Sequence, residues 1–167
     1  MDKLFTLSVK TTIGRLYLAA SEKGLVLITQ PHIKKEEFLH QLKNRFPNSN
    51  IMKENTVLNK TAKQLEQYFL GELKSFTIPL DIQGTAFQKK VLDKVSQIAI
   101  GTTKTYGQIA KEINKPKAYR AVGTANATNR LPFVIPCHRV VASNGLGGYA
   151  GGLKLKEKLL LLESNKI

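Results

Sequence analysis

Strand-forming apolar residues gather in three short runs near the start of the chain, "KLFTLSV", "IGRLYLAA" and "GLVLIT". They predict antiparallel strands across residues 3–30, with "SEKG" as the turn between the second and third. The period then changes. In "KKEEFLHQLKNRF" the residues Phe38, Leu42 and Phe46 stand four apart and make one helical stripe, which "PNSN" stops. A second helix is predicted over "NKTAKQLEQYFLG", and "FTIPLDIQG" reads as a strand or an extended linker. From Gly84 onward the pattern is helix after helix. "TAFQKKVLDKVSQI" puts Phe87, Val91, Val95 and Ile98 on one face, "YGQIAKEI" is a short helix, "NKPK" a turn, "AYRAVGTANAT" another helix, and "GLKLKEKLLLLE" closes the chain. The predicted class is α+β. Residues 1–82 form a mixed α/β domain with a small antiparallel sheet, and residues 83–167 a mostly helical domain with a helix-turn-helix. No internal repeat or low-complexity segment interrupts this order.

The chain's 167 residues can build one sizeable core or two smaller ones. No stretch is long and apolar enough to span a bilayer, and "MDKLFTLSVKTT" lacks the pattern of a signal peptide, so a cytoplasmic protein is expected. A single cysteine, Cys137, excludes an internal disulfide and any metal site built on several cysteines, and three scattered histidines offer little substitute. No metal and no cofactor are expected. The charge changes the picture more. Twenty-six Lys and Arg against twelve Asp and Glu give +14, which suits a polyanionic partner, nucleic acid first and an anionic membrane surface second. A Lys-rich solvated surface is the plain alternative.

Two segments carry candidate chemistry. In "TKTYGQIAKEINKPKAYRAVGTANATN" a short helix, a turn with Asn114 and Pro116, and a helix of small residues have helix-turn-helix spacing. Pro116 suits the first turn of the second helix, because its missing N–H costs nothing there. Ala118, Ala121, Gly123 and Ala125 keep that helix thin enough for close approach to another surface, and Arg120 projects from it. Two core helices joined by a turn would show the same pattern. In "IPCHRVV" the lone thiol is followed by His138 and Arg139. A thiol is a nucleophile only as thiolate, which nearby cations or a bonded base favour, so Cys137 is expected to be more acidic than a free thiol. Neighbours on a regular strand point to opposite faces, so Cys137 and His138 can cooperate only if the backbone turns or a water bridges them. A buried inert cysteine is the alternative. The Gly-rich "SNGLGGYAGG" lacks the Gly-Lys-Ser/Thr ending of a phosphate loop and reads as a flexible wall beside Cys137, with Tyr149 in it.

In this order, "TYGQIA", "KPKAYRAVGTA", "NRLPFVIPCHRVV" and "GGYAGGLKLKEKLLLLE" resemble the O6-alkylguanine-DNA alkyltransferases, over about Phe87 to Glu163. The first half matches that family's variable N-terminal domain in size and strand-helix order. The resemblance implies single-turnover repair of double-stranded DNA containing O6-alkylguanine, by a protein expected to act as a monomer. Cys137 would accept the alkyl group, His138 would act through water, and Glu163 would orient His138. Asn129 would brace the active-site turn, and Tyr106 would help rotate the nucleotide out and hydrogen-bond the guanine ring. Arg120 would fill the gap in the base stack, while Ala118, Ala121, Gly123 and Thr124 would line the minor-groove contact. Val140, Asn126, Gly147, Tyr149 and Ala150 would border the substrate pocket.

The chain departs from the family pattern at Tyr119, where a small residue is common, at Leu92, where tryptophan is common, and at Asn126, which is not an apolar contact. Three rivals follow from the same residues. A non-catalytic lesion binder of this fold would lack the cysteine. A Cys-His hydrolase would need His32 or His40 to reach the thiol. A plain helix-turn-helix regulator leaves "IPCHRVV" without a purpose.

Overall fold

The computed structural model describes residues 2–164, and the chain divides into two compact units between Ile82 and Gln83. The last three residues of the expected second domain lie outside the described ones. In the first unit, β1 (Lys3–Thr11), β2 (Gly14–Ala20) and β3 (Leu25–Ile28) form an antiparallel meander, with Leu7 opposite Leu18 and Ala19 opposite Leu27. α1 (Lys35–Arg45) buries Phe38 and Leu42 with Leu4, Ala19, Val26 and Leu27, and the Tyr17 and Phe38 rings stack at 5.3 Å. Phe46, the last residue of the predicted stripe, falls just past the helix.

A fourth strand, β4 (Asn50–Lys53), was not expected. It pairs parallel to β1, so the sheet order is β3-β2-β1-β4 and the small sheet is mixed rather than purely antiparallel. Its four residues are all exposed, so "NIMK" carries no inward-facing signal to read. α2 (Thr56–Leu70) starts three residues before the predicted run, because Asn55 caps it by accepting from the Leu58 N–H. Gly71, in the left-handed region, ends it. The "FTIPLDIQG" segment is extended and touches the sheet through a bridge between Leu25 and Leu80.

The second unit is helical, as predicted. α3 (Ala86–Ser96) opens on a capping box between Thr85 and Gln88 and buries Val91, Leu92 and Val95. α4 (Tyr106–Glu112) opens on another, between Thr105 and Gln108, and α5 (Tyr119–Ala127) packs across both α3 and α4. The connecting turn places Asn114 at φ +60°, a region Asn tolerates. Pro116 sits in this turn, ahead of Ala118, which precedes the first helical residue of α5; it is not in the helix's first turn as predicted. Two short strands, β5 (Lys104–Thr105) and β6 (Val140–Val141), pair in parallel, and α6 (Leu153–Ser164) closes the unit. Residues 83–167 hold 14 of the 26 basic residues but only four of the 12 acidic ones, so the positive charge gathers in this unit.

Candidate acceptor site

The backbone does turn at Cys137. Residues Cys137–Arg139 form a single 3-10 turn between Pro136 and β6, closed by the Arg139 N–H donating to the Pro136 carbonyl at 2.9 Å. Cys137 is 6% exposed, His138 fully buried and Glu163 1% exposed. Two asparagines hold the turn from the end of α5. Asn129 Nδ2 donates to the Ile135 carbonyl at 2.8 Å, while its Oδ1 accepts from the Leu131 N–H at 3.0 Å. Asn126 Nδ2 donates to the Cys137 carbonyl itself, at 3.3 Å. The Asn129 side chain also hydrogen-bonds the thiol.

His138 Nε2 lies 2.6 Å from Glu163 Oε1, a hydrogen bond that reaches from the turn to the last helix. Arg139 clamps the same carboxylate, with Nε 2.9 Å from Oε2 and Nη2 2.8 Å from Oε1, and its Nη1 donates to the Ile98 carbonyl at 2.6 Å. Burial alone would raise the Glu163 pKa, but hydrogen bonds from His138 and Arg139 outweigh it and hold the group down at about 2. Burial pushes the His138 pKa below its ordinary value, against the pull of Glu163, so the ring is neutral near pH 7. A neutral ring that donates Nε2–H to a fixed carboxylate keeps Nδ1 as its acceptor, the arrangement of an oriented general base.

Cys137 itself corrects the sequence expectation. Its pKa is raised, not lowered: burial dominates, and the hydrogen bond from Asn129, the backbone N–H groups of Cys137 and His138 and the charge of Lys156 only partly offset it. The adjacent Arg139, counted as an acidifying cation in the sequence, is spent on Glu163. The free protein therefore stores a thiol and needs a base to release the thiolate. Alkylation by iodoacetamide should accordingly titrate above the range of an ordinary free cysteine. A midpoint at or below that range would overturn the burial argument.

Tyr106 reaches the same place by a route the sequence did not reveal. β5 ends immediately before Tyr106 and β6 begins immediately after Arg139, so pairing Thr105 with Val141 sets the first residue of α4 beside the turn. The Tyr106 oxygen is hydrogen-bonded by the Gly148 backbone, and burial followed by the nearness of Cys137 raises its pKa, which keeps the phenol protonated as a donor. Gly147 is required here: it sits at φ +71°, and a Cβ would lie 2.9 Å from the Tyr106 oxygen and 3.2 Å from the Ala142 nitrogen. Gly123 on α5 faces the same ring at ordinary contact distance. Tyr149 meets the His138 ring edge-on at 6.4 Å.

The remaining predicted residues fall elsewhere in the unit. Val140 is buried in β6, whereas Ala150 is exposed in the turn before α6. Arg120, Ala121 and Thr124 form an exposed face of α5, and Ala118 precedes that helix. The Arg120 guanidinium lies over the Tyr119 ring at 5.9 Å, so the tyrosine that departs from the family pattern stands on the outer surface with it. The sequence reading missed Lys156. Its ammonium, on a fully buried side chain, donates to the carbonyls of Val140, Leu146 and Gly148. A lysine in "LKLKEK" gives no sign that one of three is internal. His32 and His40 both lie in the first unit and are exposed. That unit also holds a cavity of about 560 Å³ among Thr6, Ser8, Arg15, Tyr17, Phe38 and Lys53, which contains neither thiol nor imidazole.

The model of the 6-O-methylguanine DNA methyltransferase DNA-binding domain matches residues 86–165, and that of the same family's ribonuclease-like domain matches residues 5–82. A methylated-DNA–protein-cysteine methyltransferase of Methanosarcina mazei is 44% identical over 160 residues, covering 95% of this chain and 96% of that one. The chain belongs to this methyltransferase family. An inducible methylated-DNA–protein-cysteine methyltransferase of Bacillus subtilis is 41% identical over 148 residues, covering 88% of this chain and 83% of that protein. Among solved structures, the Mycobacterium tuberculosis O6-methylguanine methyltransferase superposes with a TM-score of 0.82 at 33% identity, covering 100% of this chain and 95% of that one. The same organism's enzyme in complex with DNA gives 0.80 at 33% identity, over 98% and 94% of the two chains. The resemblance first seen in the second half thus extends over both units. No described helix is long and apolar enough to cross a membrane, and no group of three metal-ligating side chains occurs among the described residues.

Proposed function

We propose that this protein repairs O6-alkylguanine in double-stranded DNA by moving the alkyl group to Cys137, once per molecule. The observation that carries the reading is the buried line from Cys137 through His138 to Glu163, locked by Arg139. The target oxygen lies inside the base stack of a duplex, so the nucleotide must be rotated out before a recessed thiol can reach it. The exposed face of α5, in the more basic unit, would dock in the minor groove, with Arg120 filling the vacated stack. His138 Nδ1 takes the thiol proton through a water, and the thiolate attacks the alkyl carbon. The S–C bond forms as the C–O6 bond breaks, the electron pair moves into guanine, and the guanine, still joined to its sugar, takes up a proton in place of the one the thiol lost. Tyr106, kept protonated, donates a hydrogen bond to the ring and lowers the charge that develops there. Asn129 and Asn126 hold the turn in place while this happens. The product is a thioether, whose C–S bond thiols do not exchange, so the acceptor is consumed. One chain supplies every group in this scheme, so transfer needs no second copy.

Intact-mass spectrometry after incubation with excess duplex containing O6-methylguanine tests the reading. One methyl mass per chain is expected, on the peptide that carries Cys137, and none on the Cys137→Ser variant. Repeated turnover, or a label on another residue, would sink it.

A further inference from the structure

Near the acceptor thiol, the charges of the turn cancel. Glu163 is a carboxylate, Arg139 is its clamped guanidinium, and His138 is neutral between them. Tyr106, the other titratable neighbour, is held as the neutral phenol. One charge remains. The Lys156 ammonium points back from α6, fully out of solvent, onto the carbonyls of Val140 (2.7 Å), Leu146 and Gly148 (3.1 Å). Among the described residues no carboxylate lies within ion-pair distance of it.

An unpaired buried ammonium is costly, and proteins seldom keep one where an apolar side chain would fill the space. Three carbonyl dipoles repay part of that cost, yet they could be satisfied by a neutral amide. They also fix the ammonium in place, because they belong to β6, directly after the acceptor turn, and to the loop that carries Gly147 and contacts Tyr106. A cation held this way cannot swing away when charge forms on sulfur.

We infer that Lys156 is the fixed cation of the acceptor site, a positioning residue that ties the Leu146–Gly148 loop to β6 and favours the negative charge on Cys137 during transfer. The inference rests on Cys137 being the acceptor, and it identifies what keeps the thiolate attainable in a site that otherwise opposes it. Burial lowers the pKa of Lys156 and raises that of Cys137, and Coulomb attraction between ammonium and thiolate partly offsets both shifts.

Charge and tethering separate in three variants. Lys156→Met removes both, Lys156→Gln keeps hydrogen-bond donors without charge, and Lys156→Arg keeps charge. With iodoacetamide as the probe, the alkylation rate of Cys137 should be followed against pH in each folded protein. Lys156→Gln and Lys156→Met should move the midpoint upward, cutting the rate at a pH below it by about tenfold, the effect of one pKa unit. Lys156→Arg should return the midpoint toward wild type. An unmoved midpoint in the folded Gln variant would overturn the inference, because that variant loses the charge while keeping hydrogen-bond donors. The reciprocal measurement leaves Lys156 unmutated and so holds even if those variants fail to fold. The Lys156 amine, followed by nitrogen NMR, should titrate lower in Cys137→Ser than in wild type, and identical titrations would equally overturn it. Neither readout uses damaged DNA, so each is independent of the mass test of alkyl transfer.

Discussion

Replacing Glu163 with glutamine is expected to destabilise the C-terminal unit by about 3–5 kcal/mol and to slow alkyl transfer by about 100-fold. The stability loss follows from Arg139. Its guanidinium, buried and bonded to both carboxylate oxygens, would keep its charge and lose its counter-ion. Removing one partner of such a pair costs more than the pair contributes, because the survivor is left uncompensated. The rate loss follows from His138. A carboxamide that turns its NH2 toward the ring forces Nε2 to become the acceptor, which moves the ring proton to Nδ1 and removes the base. General-base assistance is worth roughly 100-fold or more, and transfer would fall by about that factor.

The pH dependence of stability separates these effects. In wild type the Glu163 pKa falls from an ordinary 4.5 when unfolded to about 2 when folded. A depressed carboxyl contributes its full stabilisation above the unfolded value and loses it as pH falls through the folded one. That shift corresponds to about 3 kcal/mol, lost between about pH 4.5 and pH 2. Denaturant unfolding measured across that window should show the slope in wild type and a flatter profile in Glu163→Gln. Parallel profiles would mean that the carboxylate does not hold the site, and a fully active variant would remove the relay.

These consequences are partly legible in the sequence. Helix periodicity and caps are local, so α3, α4 and α5 could be read within one or two residues of their ends. The Cys137–His138 problem was legible too: adjacency on a strand forbids direct cooperation, and the 3-10 turn is one of the two ways round it. What the sequence concealed depends on pairing at a distance. β4 shows no buried position, and β5 and β6 are two residues each, too short for any period, although their pairing delivers Tyr106 to the thiol. The thiol's acidity was misread for a related reason. Sequence adjacency placed Arg139 beside Cys137, whereas Glu163, 24 residues on, consumes its charge, and burial decides the sign. Lys156 is the converse, a cation with no adjacency in sequence and a fixed place beside the site.

Arg120→Ala should slow repair of duplex DNA by about 100-fold while leaving reaction with free O6-alkylguanine base near wild type. Extruding a nucleotide costs a few kcal/mol, and a group that fills the gap recovers part of it. If the recovered part is about 3 kcal/mol, its loss corresponds to about 100-fold in rate. The free base needs no extrusion, so it reports the thiol chemistry alone. Arg120 stands on the exposed face of α5 with its guanidinium over the Tyr119 ring, which already shows a planar cation resting on an aromatic surface. A base pair offers the same kind of surface, and an ammonium cannot stack on it in the same way. Arg120→Lys should therefore recover DNA affinity, since the charge that meets phosphate is preserved, but little of the repair rate. If lysine restored both, Arg120 would be a phosphate contact only. Equal losses on free base and on duplex would place its role in the pocket, and the gap-filling assignment would be wrong.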